Sequence, residues 1–285
     1  MIRPSSTCLG LAAMAFATAV PVAAHAQDDM VRVSLESMRV PVAAPGGLAD
    51  LFRGSPGSSA GTPSAFGPGM GDFFVGGGYQ STMRGIKQAN GTFTENDLDD
   101  AAVSAGFGLG DPTNGIGFST VITALSLRSG FANSTAFSFQ AFRKINPTLA
   151  VAVGVENAII SGGENTEGAD SWYGVASKVF QQPAADVAWL KSVTVSAGFG
   201  NGRFRTADDI SIGNETVMVF ASVSATVHNQ VSVIGEFTGQ DVNLGLSVVP
   251  VRKFPVAITM ALADLTGAAS ESARLIIGAG LVVRY

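Results

Sequence analysis

From Gly71 to Tyr285 the chain repeats one theme: a short segment in which apolar and small or polar side chains alternate, then a turn. The last segment, RLIIGAGLVVRY, shows it plainly. Leu275, Ile277, Ala279, Leu281, Val283 and Tyr285 make one set, and Arg274, Ile276, Gly278, Gly280, Val282 and Arg284 the other. Successive side chains of a strand point to opposite faces, so such a segment has one apolar face and one small or charged face. The same separation recurs in Val103, Ala105, Phe107 and Leu109, in Leu149, Val151, Val153 and Val155, in Val217, Val219, Ala221, Val223 and Ala225, and in Val242, Leu244, Leu246 and Val248. Beyond the amino-terminal leader no run approaches the roughly 18 consecutive apolar residues of a spanning helix. Yet the mean hydropathy is +0.32 and only 14 % of residues are charged. Apolar residues that are plentiful but never continuous suit alternate strand positions.

Candidate strands fall near 72–82, 100–109, 116–128, 134–144, 149–160, 170–180, 191–200, 216–227, 231–239, 241–250, 255–264 and 273–285. That is about twelve, each close to the roughly 9 to 11 residues a tilted strand needs to cross a bilayer. Counted back from Tyr285, longer connections at 83–99, 129–133, 161–169, 201–215 and 265–272 alternate with the tight turns GDPTNG, INPT, HNQ and VRKFP. Long outer loops and short inner turns are the pattern of a barrel with both chain ends on the inner side. QQPAADVAWL is long for an inner turn and 239–241 short for an outer loop, which leaves the register near 181–190 and 239–242 open. Open strand edges in hydrocarbon leave backbone groups unpaired, at a cost of several kcal/mol each. The expected fold is therefore all-β: a closed antiparallel transmembrane-type β-barrel of about twelve strands.

At the amino end, Arg3, an apolar stretch from Leu9 to Val20 and the site Ala24-His25-Ala26 read as a secretory signal peptide over residues 1–26. Cys8, the sole cysteine, leaves with it, which excludes disulfides and thiolate metal sites. Residues 27–70 change from a strand-like start to GGLADLFRGSPGSSAGTPSAFGPG, a composition of turns and linkers. They are expected to form a flexible periplasmic segment or a plug, with residues 71–285 as the barrel. A barrel of this size is wider than the eight-stranded kind that side chains fill. Water, a plug made from Met30 to Ala44, or flattening of the walls are the three ways to occupy the space.

Alternation places Arg128, Glu156, Lys178, Glu236, Asn243 and Arg274 on the lumen face. There, water or an opposite charge offsets a desolvation cost that lipid would not. These residues either pin the barrel as internal ion pairs or line a narrow aqueous path. No catalytic set emerges: His228 is the only histidine of the mature chain, and it sits in a tight inner turn. The glycines of GFGLGDPTNG and GFGNGR precede no helical period, so phosphate loops are not expected. Acidic clusters such as Asp208, Asp209 and Glu215 lack calcium-loop spacing. No metal and no cofactor are expected, and 17 basic against 22 acidic residues offer no patch for nucleic acid.

Two resemblances add to this. The terminal Gly280, Val283 and Tyr285 resemble the carboxy-terminal assembly signal of bacterial outer-membrane barrels, which implies outer-membrane lipids and the barrel-assembly machinery as partners. GVENAII from Gly154, AGFGNGRF from Ala197, FTGQDVNLGLSVVP from Phe237 and LADLTGAA from Leu262 are similar to an uncharacterised, cyanobacterial-type family of barrel-like proteins. That likeness covers roughly residues 71–285 and implies a fold without an assigned activity. The expected function is a non-enzymatic barrel in the outer membrane of a Gram-negative-type bacterium: a small pore, or an accessory of envelope or exopolysaccharide export. A soluble exported β-protein binding a glycan or a protein partner is the alternative, and an outer-membrane lipid-modifying enzyme ranks last.

Overall fold

The computed structural model describes residues 55–82, 87–88, 90–93, 99–125, 127, 134–162, 170–181, 189–251, 254 and 256–284. Twelve strands follow one another: β1 Asp72–Gln80, β2 Asp100–Gly110, β3 Gly117–Ala124, β4 Ser134–Asn146, β5 Leu149–Gly162, β6 Ser171–Gln181, β7 Ser192–Gly200, β8 Met218–His228, β9 Val231–Phe237, β10 Val242–Val248, β11 Val256–Ala263 and β12 Arg274–Arg284. Each pairs antiparallel with its sequence neighbours, and β12 pairs with β1 to close the barrel. The closing register runs from Asp72 opposite Arg284 to Gln80 opposite Ile276, so no sheet edge is left open. Beyond the strands the loop between β7 and β8 holds a 3-10 turn, Gly202–Phe204, and one short helix, α1 Ala207–Ser211.

The two uncertain registers are resolved by pairing. Gln181 stands opposite Ser192, and Phe237 opposite Val242, joined through a turn in which Gly239 has φ 98°. The larger of two irregularities in the β4–β5 pair lies where Phe137 faces Ile159 but Phe139 faces Val155. Two extra residues in β5 are absorbed at Asn157, whose φ is 54° and whose N–H donates to Ser138 Oγ at 3.0 Å. An even insertion keeps the alternation in phase, so Val155 and Ile159 share the outward row.

The apolar rows point out and nothing in the described chain covers them: Val153 and Val219 are each 62 % exposed, and Leu244 53 %. Outward aromatics form two bands. Phe73, Phe107, Phe118 and Phe180 lie toward the end at which β1 begins and β12 finishes, here the terminal end. Tyr79, Trp172 and Phe199 lie toward the opposite, loop end. Such bands flank the apolar belt of transmembrane barrels.

Inside, glycine and aromatic residues face one another across neighbouring strands: Phe74 and Gly106, Phe142 and Gly117, Tyr173 and Gly154, Phe220 and Gly198. A Cβ on any of these glycines would run into the partner ring. Each ring therefore lies flat on the wall where a side chain is missing.

Candidate functional site

The Gly/Ser/Pro-rich stretch expected to act as a linker fills the barrel instead. Residues 56–68 are buried, and they contact the inward face of strands far from them in sequence. The chain leaves β1 at the terminal end, where Met70 donates its N–H to the Gly110 carbonyl at 3.2 Å and Gly69 donates to Asp72 Oδ2 at 2.8 Å. It rises past β6, where Ala65 N–H donates to Ser177 Oγ at 2.9 Å, and past β4, where Gln140 Nε2 donates to the Ser64 carbonyl at 2.8 Å. A turn over Ser59 to Thr62, closed by Ser59 Oγ donating to the Thr62 carbonyl at 2.5 Å, reverses it. The other leg returns toward the terminal end, where Gly57 N–H donates to Ser247 Oγ at 2.7 Å and its carbonyl accepts from Ser232 Oγ at 2.5 Å. The described plug is thus a two-legged loop, with Gly57 and Gly69 both toward the terminal end. The proposed plug from Met30 to Ala44 lies outside the described residues.

Glu236 on β9 grips the tip of this loop. Ala60, Gly61 and Thr62 donate three successive N–H groups to one of its carboxylate oxygens at 2.9, 3.1 and 3.3 Å, and the Thr62 hydroxyl lies 3.2 Å from the same oxygen. Asn243 on β10 donates Nδ2 to the other oxygen at 2.8 Å, and its own carbonyl oxygen accepts from Asp264 N–H at 3.0 Å. A buried carboxylate is expensive unless hydrogen bonds replace its water, and here five contacts do so. Arg203, from the β7–β8 loop, donates Nη2 to the Gly61 carbonyl at 2.8 Å. The same guanidinium forms a two-point pair with Glu156 on β5 and lies 4.4 Å from the centre of the Phe204 ring. Phe204 stacks on Phe220 at 4.5 Å and meets Tyr173 edge-on, so the β7–β8 loop folds inward over the loop end.

Arg274 and Asp241 form a second charged pair at 3.5 Å, both fully buried. Glu156, Glu236, Asn243 and Arg274 thus point inward toward the loop end of the lumen, and the first three lie in one network around the plug tip. Lys178 does not join them. Its neighbours Ser177 and Val179 are the inward residues of β6, while Lys178 pairs laterally with Leu149 and Val195 on the outer face. Its expected lumen position is therefore corrected by one residue of phase. Near the terminal end its chain reaches along the surface, and Nζ donates to Thr148 Oγ1 at 2.8 Å, keeping the charge at the rim. Arg128 and Tyr285 lie outside the described residues, and Gly280 and Val283 lie on β12 opposite Gly76 and Phe73.

Sequence reading missed the inward aromatics and Arg203. Phe220 sits between Met218 and Ser222 on a face read as small and polar, and the facing Gly198 was the available signal. Arg203 belongs to a loop, where alternation says nothing about direction. Among the described residues no group of three or more metal-ligating side chains could hold an ion.

No family model matches the chain, and no curated protein does. Some solved structures are similar to the chain. The KdgM porin, solved in complex with disordered oligogalacturonate, is 10 % identical with a TM-score of 0.43, over 75 % of this chain and 99 % of that one. An outer-membrane channel from Pseudomonas putida F1 gives 12 % and 0.44 over 75 % and 96 %. The toluene transporter TbuX of Ralstonia pickettii gives 10 % and 0.41 over 80 % and 97 %.

Proposed function

We propose that the protein is an outer-membrane channel of non-enzymatic type whose lumen is kept shut by its own residues 55–69, with the terminal end toward the periplasm. The membrane assignment rests on the uncovered outward rows and the two aromatic bands, which would aggregate in water. The channel assignment rests on one observation: the plug tip and the leg through Gly57 are held by hydrogen bonds to wall side chains, chiefly Glu236, while of the described plug residues Ala65 and Phe66 join an apolar cluster with wall residues such as Phe142, Tyr173, Val175 and Val179. Polar contacts of this kind exchange for water when the loop withdraws, whereas a jigsaw core does not. An enzyme would need a base near reacting atoms, and His228 instead accepts the Gln230 N–H at 3.3 Å in an exposed turn at the terminal end.

Planar-bilayer recording tests the reading. Full-length protein is expected to show little conductance, and a variant lacking residues 55–69 to show steady steps in potassium chloride. A plug-deleted barrel that retains heat-modifiable migration on gels yet conducts nothing would sink the channel assignment.

A further inference from the structure

The closed state leaves part of the wall unsatisfied. Thr194 on β7 and Ser222, Ser224 and Thr226 on β8 are at most 8 % exposed, and their hydroxyl oxygens have no hydrogen-bond partner. They are neighbours: Thr194 faces Ser224 and Ser222 faces Ser196 across the β7–β8 pair, while Ser222 and Thr226 stand opposite Glu236 and Ser232 on β9. The patch therefore lies between the plug's anchors on Ser177, which bonds Ser196 at 2.7 Å, and on Ser232. Across β6 to β11, Glu236 is the only carboxylate, lysine or arginine on an inward strand position. Of the other charges toward the loop end, Glu156 pairs with Arg203 and Asp241 with Arg274, while the buried carboxylate of Asp264 accepts from the Ala268 and Ala269 N–H groups and the Ser270 hydroxyl.

Taken with the channel reading, on which it rests, this arrangement points to a substrate class: we propose that the wall from β6 to β11 passes uncharged, hydroxyl-rich solutes, small sugars and polyols, once the plug withdraws. A hydroxyl both donates and accepts, so a patch of them matches the hydroxyls of a sugar in any orientation. A polyanion would need fixed cations, and this face offers none. The patch is unsatisfied when sealed and satisfied when wet or occupied, which marks it as built for the open lumen.

Liposomes carrying the variant without residues 55–69 supply the test, with glucose, xylitol and gluconate as probes and potassium chloride conductance measured in parallel. Glucose and xylitol are expected to enter faster than gluconate. Thr194→Val and Thr226→Val, which keep side-chain shape and remove the hydroxyl, are each expected to slow glucose by about fivefold, the factor implied by loss of one neutral hydrogen bond. Salt conductance should stay unchanged. Ser222→Ala, a smaller change, gives a second reading in the same assay. Gluconate entering as fast as glucose, or sugar entry indifferent to all three substitutions while salt conductance persists, would overturn the substrate class alone. Loss of salt conductance from a folded plug-deleted barrel would instead remove the channel reading beneath it.

Discussion

At Glu236 a single carboxylate holds three successive backbone N–H groups of a segment about 175 residues away in sequence. A sealed N–H without an acceptor costs about 1–3 kcal/mol. Glu236→Ala should therefore convert a silent full-length barrel into one that flickers open in bilayer recordings, and Glu236→Gln, which keeps an acceptor oxygen, should flicker less. Equal silence in both variants would show that the tip is held by other contacts. Asp209, in the β7–β8 loop, accepts from Asn214, Thr206 and Thr216, and these hydrogen bonds hold its carboxyl below the ordinary carboxylate range. A depressed value stabilises the folded loop above the unfolded value of about 3.9, and that stability is lost as pH falls through the lower folded value. Hydrogen exchange over residues 206–216, corrected for intrinsic rates, should stay flat from neutral pH to about 5 and rise below about 4. A rise already near neutrality would contradict this.

Among the elements, the plug loop shows how composition misleads. Gly, Ser and Pro give a chain without a hydrophobic stripe, the mark of a linker in isolation. Inside a wide barrel the same residues are the ones that fit, because a slim backbone presents its N–H and C=O groups to hydroxyl and amide side chains on the wall. Gly67 illustrates the tolerance: a Cβ there would stand 2.5 Å from the Phe142 ring and 2.8 Å from Gln140 Oε1. Gly67→Val is expected to force this leg from the wall and to raise protease cleavage near residues 60–69 in folded protein, and unchanged cleavage would show that the ring gives way instead. The β-strands were legible throughout, since a two-residue period survives any detail of packing. What alternation could not supply was the phase at Lys178, because Tyr173, Gly174, Val175 and Ala176 just before it are apolar or small on both faces.

For the whole molecule, the decisive quantity is which side of the cylinder meets hydrocarbon. Val153, 62 % exposed in the outward row of β5, is expected to tolerate charge poorly: Val153→Arg should cost about 2–4 kcal/mol in reversible denaturant unfolding in liposomes. A neutral result would mean that water, not lipid, covers that face. The outward rows, twelve strands and their closure followed from the sequence because each depends on local periodicity and on the prohibition of unpaired backbone in an apolar medium. The content of the lumen did not, because it depends on contacts between residues 55–69 and strands as far as 190 positions away. Local pattern determines that a strand has an inside; only the closed cylinder decides what stands there, since filling a volume is a property of all its walls at once.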